Sequence, residues 1–109
     1  MTVSELTEKT DFQLAAGESG SSNEITGCYI GDLLSLVMSK AQSGDAWITI
    51  QGNINVPAVA SLTECAMVIV AEGMKLDENA QKRAEQEGIA IYSSPESAFE
   101  LACKIKECL

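Results

Sequence analysis

Residues 44–73 read GDAWITIQGNINVPAVASLTECAMVIVAEG. The stretch holds two short apolar runs, Trp47-Ile48-Thr49-Ile50 and Met67-Val68-Ile69-Val70, and each is followed by a turn carrying a glycine, Gly52 or Gly73. Between them, residues 55–65 are mostly small and suit a helix, with Pro57 tolerated only in a first turn, which sets the helix start near Asn55 or Val56. Strand, helix, strand at this spacing is a βαβ unit. In the first strand, 47–51, residues 47–50 are apolar on both parities except at Thr49, as a strand covered on both faces must be.

Working outward, the same alternation continues. Asp77 fits an N-cap for a polar helix over 78–87, in which Glu78 stands four residues before Lys82, and Gly88 ends it. Residues 89–92 (IAIY) read as a strand. Ser94-Pro95 reads as N-cap and first helical residue of a last helix, whose buried face is marked by Ala98, Leu101, Ala102 and Ile105. Upstream, residues 32–42 form an apolar helix through Leu33, Leu34, Leu36, Val37, Met38 and Ala41, a face suited to the core or to a dimer contact. Asp32 suits the dipole at its start, and Gly44 is read as the C′ glycine beyond its end. Residues 25–30 (ITGCYI) read as a strand and 17–23 (GESGSSN) as a flexible loop. Residues 12–15 read as a weak strand, and Thr2 with Glu5 as a capping box opening a short helix to about Lys9. The order is α-β-β-α-β-α-β-α-β-α. It predicts an α/β single domain over 1–109 with a central, mostly parallel mixed sheet of about five strands and helices on both faces.

Composition bounds the function. At 109 residues and 46% hydrophobic content the chain is one folded domain. A net charge of −9 leaves no basic footprint for nucleic acid and disfavours an anionic membrane surface. No signal-type or spanning apolar run is present, so a cytoplasmic protein is expected. Cys28, Cys65, Cys103 and Cys108 make no CxxC pair, so a zinc site would need all four thiols from three distant segments, and with no histidine a histidine-based triad is impossible. The thiols are read as reduced and mostly buried, Cys108 excepted. No P-loop or dinucleotide fingerprint occurs. The chain is therefore expected to be no enzyme, with no cofactor and no metal. The remaining candidate site is the pair of strand-to-helix turns: Gly52, Asn53 and Asn55 after one strand, Glu72 and Gly73 after the next. At such turns free backbone N–H groups and close backbone approach favour a ligand. Gly-Asn is equally a good turn, Asn55 equally a good cap, and Glu72 opposes a phosphate.

With these residues in place, positions 24–107 resemble a DRTGG domain, short stand-alone type. The telling runs are TGCYIGDLLSLVM (26–38) and DAWITIQGNINVPAVASL (45–62). That family's Gly-Asp-Arg turn corresponds here to Gly52-Asn53-Ile54, and its Thr-Gly-Gly to Ala71-Glu72-Gly73. Residues 85–99 are also similar: a helix, a strand led by Gly88, then a serine-rich turn into an Ala-Phe helix. The resemblance implies the mixed α/β domain found at the N-terminus of HPr kinase/phosphorylase, without the kinase domain. It also implies a regulatory, dimer-forming role beside a partner enzyme, as in domains that accompany phosphotransacetylases and CBS-containing pyrophosphatases, or beside a redox complex such as an iron hydrogenase. Two functions follow as expectations. One is a non-catalytic regulatory or scaffold domain that self-associates as a homodimer. The other is a sensor binding an adenine nucleotide at the two turns. The arginine that could clamp a phosphate in the family is Ile54 here.

Overall fold

The computed structural model describes all 109 residues. Its elements in chain order are α1 (Val3–Glu8), β1 (Gln13–Ala16), a 3-10 turn (Glu18–Ser22), β2 (Gly27–Ile30), α2 (Leu34–Lys40), β3 (Asp45–Thr49), α3 (Asn55–Thr63), β4 (Met67–Val70), α4 (Glu78–Glu87), β5 (Ile91–Ser93) and α5 (Ala98–Cys108). The strands form one sheet in the order β1-β5-β4-β3-β2. β2, β3, β4 and β5 are parallel neighbours, and β1 closes the β5 edge antiparallel. This is the mixed α/β sheet that the alternating pattern predicts.

Every residue of β3 and β4 is buried. Period-2 side chains divide them between two cores. Ala46, Ile48, Met67, Ile69 and Tyr92 face one side, where Val3 and Leu6 of α1 and Leu101 and Ile105 of α5 cover them. Trp47, Val68, Val70 and Ile91 face the other, under Val37 of α2, Val56, Val59 and Ala60 of α3, and Ala84 of α4. Trp47 also donates its indole N–H to the Gly31 carbonyl at 2.9 Å, so the one polar atom of that buried ring is satisfied. No helix is long and apolar enough to cross a membrane.

Several local expectations are corrected. α2 begins at Leu34, and its C-cap Ala41 is extended, so Gly44 is no C′ residue but the left-handed turn into β3. Asp32 stands outside the helix. Its Oδ1 accepts from the Thr49 hydroxyl and the Ile50 N–H, tying the β2–α2 turn to the end of β3. Of the apolar α2 side chains only Val37 is buried, whereas Leu33, Leu36 and Met38 are exposed. The α5 cap is Ser97, not Ser94. Ser97 and Glu100 form a capping box, while Ser94 Oγ accepts from the Glu96 N–H in the preceding turn. The α4 ion pair is Arg83–Glu87, not Glu78–Lys82. The 17–23 segment is a packed 3-10 turn, held because Gly17 and Gly20 lie against the backbone of residues 88–90. Of the cysteines only Cys65 is buried, and Cys28 and Cys103 are exposed.

Candidate functional site

The crossovers α2, α3 and α4 pack on one face of the sheet, and α5 packs on the other. The chain leaving β4 therefore turns towards one face and the chain leaving β5 towards the opposite face. Two adjacent parallel strands whose exits diverge leave a crevice beyond their carboxyl ends, the place where open α/β sheets bind ligands. A crevice of about 480 Å³ lies at this point. Its walls are the β4–α4 loop (Gly73, Met74, Lys75, Leu76), the β5–α5 loop (Ser93, Ser94, Pro95), Gln81 of α4, and Gln13 and Ala15 of β1.

Local geometry builds these walls. Glu72 and Gly73 both have positive φ, 60° and 68°, and the Met74 N–H returns to the Ala71 carbonyl at 3.2 Å, closing a tight turn. The Glu72 and Gly73 N–H groups donate to the Glu96 and Ser94 carbonyls at 2.8 and 2.9 Å, so the two loops are bonded together at the base of the crevice. A side chain at Gly73 would meet no atom within 4 Å, so its Cα borders open space. Gln81 donates its amide to the Leu76 carbonyl at 3.3 Å, fixing the loop from the helix side. Lys104 of α5 pairs with Glu96 and, at 3.4 Å, with Asp11, and both carboxylates raise its pKa, the Glu96 hydrogen bond most.

The β3 turn is a different object. Gly52 lies against the next loop: a Cβ built on it would sit 2.0 Å from the Lys75 carbonyl oxygen. The Gly52 carbonyl accepts the Asp77 N–H at 2.8 Å. The N-cap of α3 is Ile54, and Asn53 just before it, not Asn55, supplies the side-chain bond at the helix start, its Oδ1 accepting the Asn55 N–H at 2.9 Å while its amide donates to Gln51 Oε1. Asn55 is the first residue of the helix. Of the five candidate residues, Gly73 lines the crevice, Glu72 is exposed beside it, and Gly52, Asn53 and Asn55 lie outside, bracing the loop from behind. Sequence reasoning missed Met74, Lys75, Leu76 and Gln81, which follow Gly73 in the β4–α4 loop and α4, Gln13 and Ala15, which only the antiparallel β1–β5 pairing brings there, and Ser93-Ser94-Pro95, which reads as a helix cap. The exit of a second parallel strand next to Gly73 was the available signal.

A second groove, about 420 Å³ and apolar, runs between β2 and α5. Cys28, Ile30, Ala102, Ile105 and Leu109 line it. Cys28 is exposed as a residue, but partial burial of its thiol against the groove wall first and the Asp45 carboxylate second push the thiol up to about 11, so it stays protonated at neutral pH. Burial also raises Cys65, opposed by its hydrogen bond with Thr63. The structure groups no three histidine, cysteine or carboxylate side chains as metal ligands.

No protein-family profile matches the sequence, and no curated protein is similar to it. Among solved structures the chain is similar to the CBS and DRTGG domains of the regulatory region of Clostridium perfringens pyrophosphatase, complexed with its activator diadenosine tetraphosphate. The TM-score is 0.76 at 12% identity, over 99% of this chain and 47% of that one. The chain thus spans about half the length of that region, and at this identity the likeness is one of fold.

Proposed function

We propose that this chain is a non-catalytic regulatory module that binds a small ligand in the crevice between the β4 and β5 exits and acts on a partner enzyme. The observation that carries the reading is the crevice itself. It stands where the β4 and β5 exits diverge to opposite faces of the sheet, and the only titratable side chain in its walls is Lys75. No carboxylate, thiol or imidazole lines it, so apart from the exposed Lys75 it offers hydrogen bonds and apolar surface. The regulatory setting is supported by the fold shared with a pyrophosphatase regulatory region, and an adenine nucleotide is the ligand class suggested by that region's activator. Gly73 and Glu72 belong to the binding side of this reading, and Gly52, Asn53 and Asn55 to its support.

Self-association is the second element, supported by a different surface. β2 pairs only with β3, leaving one edge of the sheet free. Ile30 of β2, Leu33 at the α2 N-cap, and Leu36 and Met38 of α2 are exposed. An open strand edge bordered by apolar side chains is a template for pairing with another chain, and a second copy is the occupant this reading names.

Thermal melting against a nucleotide panel, with mass from light scattering, tests both elements. A ligand at 100 times its Kd stabilises by about 2.7 kcal/mol, a rise on the order of 10 °C in a domain of this size. A shift with one nucleotide and a dimer mass are expected. A flat panel removes the sensor, and a monomer at micromolar concentration removes the self-association.

A further inference from the structure

We propose that the β4–β5 crevice selects ligands carrying at most one anionic group, of nucleoside or nucleoside monophosphate chemistry, and discriminates against polyphosphates. The proposal rests on the reading of the crevice as a ligand site and specifies what that site takes.

The walls combine three kinds of group. Gln13 and Gln81 bring carboxamides, which match the paired donor and acceptor edge of a base. One N–H of the Gln81 amide is engaged by the Leu76 carbonyl, which leaves the second N–H to donate and the oxygen to accept. Met74, Leu76 and Pro95 bring apolar surface against which a ring can lie, and Ser93 brings a hydroxyl for a polar substituent. The volume, about 480 Å³, lies towards the small end of the roughly 300–1,000 Å³ typical of small-molecule sites.

Charge sets the upper limit. Lys75 is the only cation in the walls, and no arginine is present to grip a phosphate through two hydrogen bonds. Glu72 precedes Gly73 directly, and Asp77 and Glu78 open α4. The free N–H groups at the α4 start would favour an anion, but these two carboxylates already supply negative charge there. The whole chain carries −9. One anionic group has a partner in Lys75. A second or third has none and enters a field of its own sign.

Calorimetric titration of the full chain with adenosine, AMP, ADP, ATP and diadenosine tetraphosphate, in magnesium-free buffer at low and high salt, tests this. Adenosine and AMP are expected to bind, AMP more tightly, and affinity is expected to fall at least tenfold from AMP to ATP. That deficit shrinks with added salt, because repulsion between exposed charges is screened. Lys75→Gln, at an exposed position, brings AMP down to the level of adenosine, and Ser93→Phe fills the crevice and abolishes both. Affinity that rises with the number of phosphates overturns the charge limit while leaving the crevice a ligand site. AMP binding indifferent to Lys75→Gln overturns the placement of the anionic group. Absence of binding across the whole series overturns the sensor reading as well.

Discussion

The turns after β3 and β4 share one sequence signature, an apolar strand followed by a glycine and then a helix, yet one is filled and the other open. After β3, the polypeptide stays on the same face as its neighbours, and the space beyond Gly52 is taken by the backbone of Lys75 and Leu76. After β4, the adjacent exit from β5 leaves for the opposite face, and nothing fills the space beyond Gly73. A glycine at a strand end therefore has two distinct uses here: in one turn it admits backbone, in the other it shapes a left-handed turn at the rim of a crevice. What separates them is the direction of the next connection, a property of topology and not of the local residues.

The largest effect expected from this contrast is at Gly52. A methyl group there must displace the Lys75 carbonyl from 2.0 Å and strains the Asp77-to-Gly52 hydrogen bond. Gly52→Ala should cost about 3 kcal/mol as an overpacking defect, and lower the melting temperature by more than about 10 °C. Because it shifts the Lys75 loop, it should weaken any ligand in the crevice although Gly52 is not in its walls. A variant that melts like the parent would show that the β3 turn is not the brace described.

A smaller loss is expected at Asn53. Its side chain satisfies the Asn55 N–H at the start of α3 and holds Gln51 in place. Asn53→Ala removes both bonds and should cost about 1 kcal/mol, the usual worth of an N-terminal cap. Asn55→Ala, whose side chain holds no cap, should cost less. Denaturant unfolding of the two variants ranks them, and the reverse order would return the capping role to Asn55.

Much of the architecture is legible in the sequence because it is written in periodicity. Residues 47–50, Thr49 apart, and 67–70 are apolar on both parities, and the structure buries β3 and β4 completely, although β3 runs from Asp45 to Thr49 and leaves Ile50 exposed beyond its end. The αL glycine at position 88 and the capping box of Thr2 and Glu5 also stand where their residue types require. What periodicity does not carry is pairing across distance. Gln13 reaches the crevice only through its register with Ser93, eighty positions away in the chain, and a four-residue strand gives no local sign of its partner. Exposure misled for a related reason. An apolar α2 face reads as core or as a dimer contact, and the core half of that reading fails because the helix lies at the free edge of the sheet, where only Val37 finds a cover. The Ser94-Pro95 cap failed because two serines compete. Ser97 has Glu100 three residues on to complete a capping box, and Ser94 spends its hydroxyl on Glu96.

The finest test of the contrast uses the two left-handed residues of the β4 turn, whose substitutions should move stability in opposite directions. Glu72 holds φ 60° without being glycine, at a position where a Cβ is disfavoured. Glu72→Gly relieves that strain, offset in part by the added freedom of the unfolded chain, and should stabilise by a few tenths of a kcal/mol up to about 1 kcal/mol. Gly73 holds φ 68° in open space, so Gly73→Ala meets no clash and should cost about 1 kcal/mol through its backbone alone. Strained residues held beside a crevice are characteristic of binding loops, which give up stability to keep a shape. Glu72→Gly should therefore raise the melting temperature and, by loosening the turn that sets the Gly73 rim, weaken any ligand bound in the crevice. A stabilised variant with unchanged affinity would separate the turn from the site and leave Lys75 and the β5 exit to define the crevice.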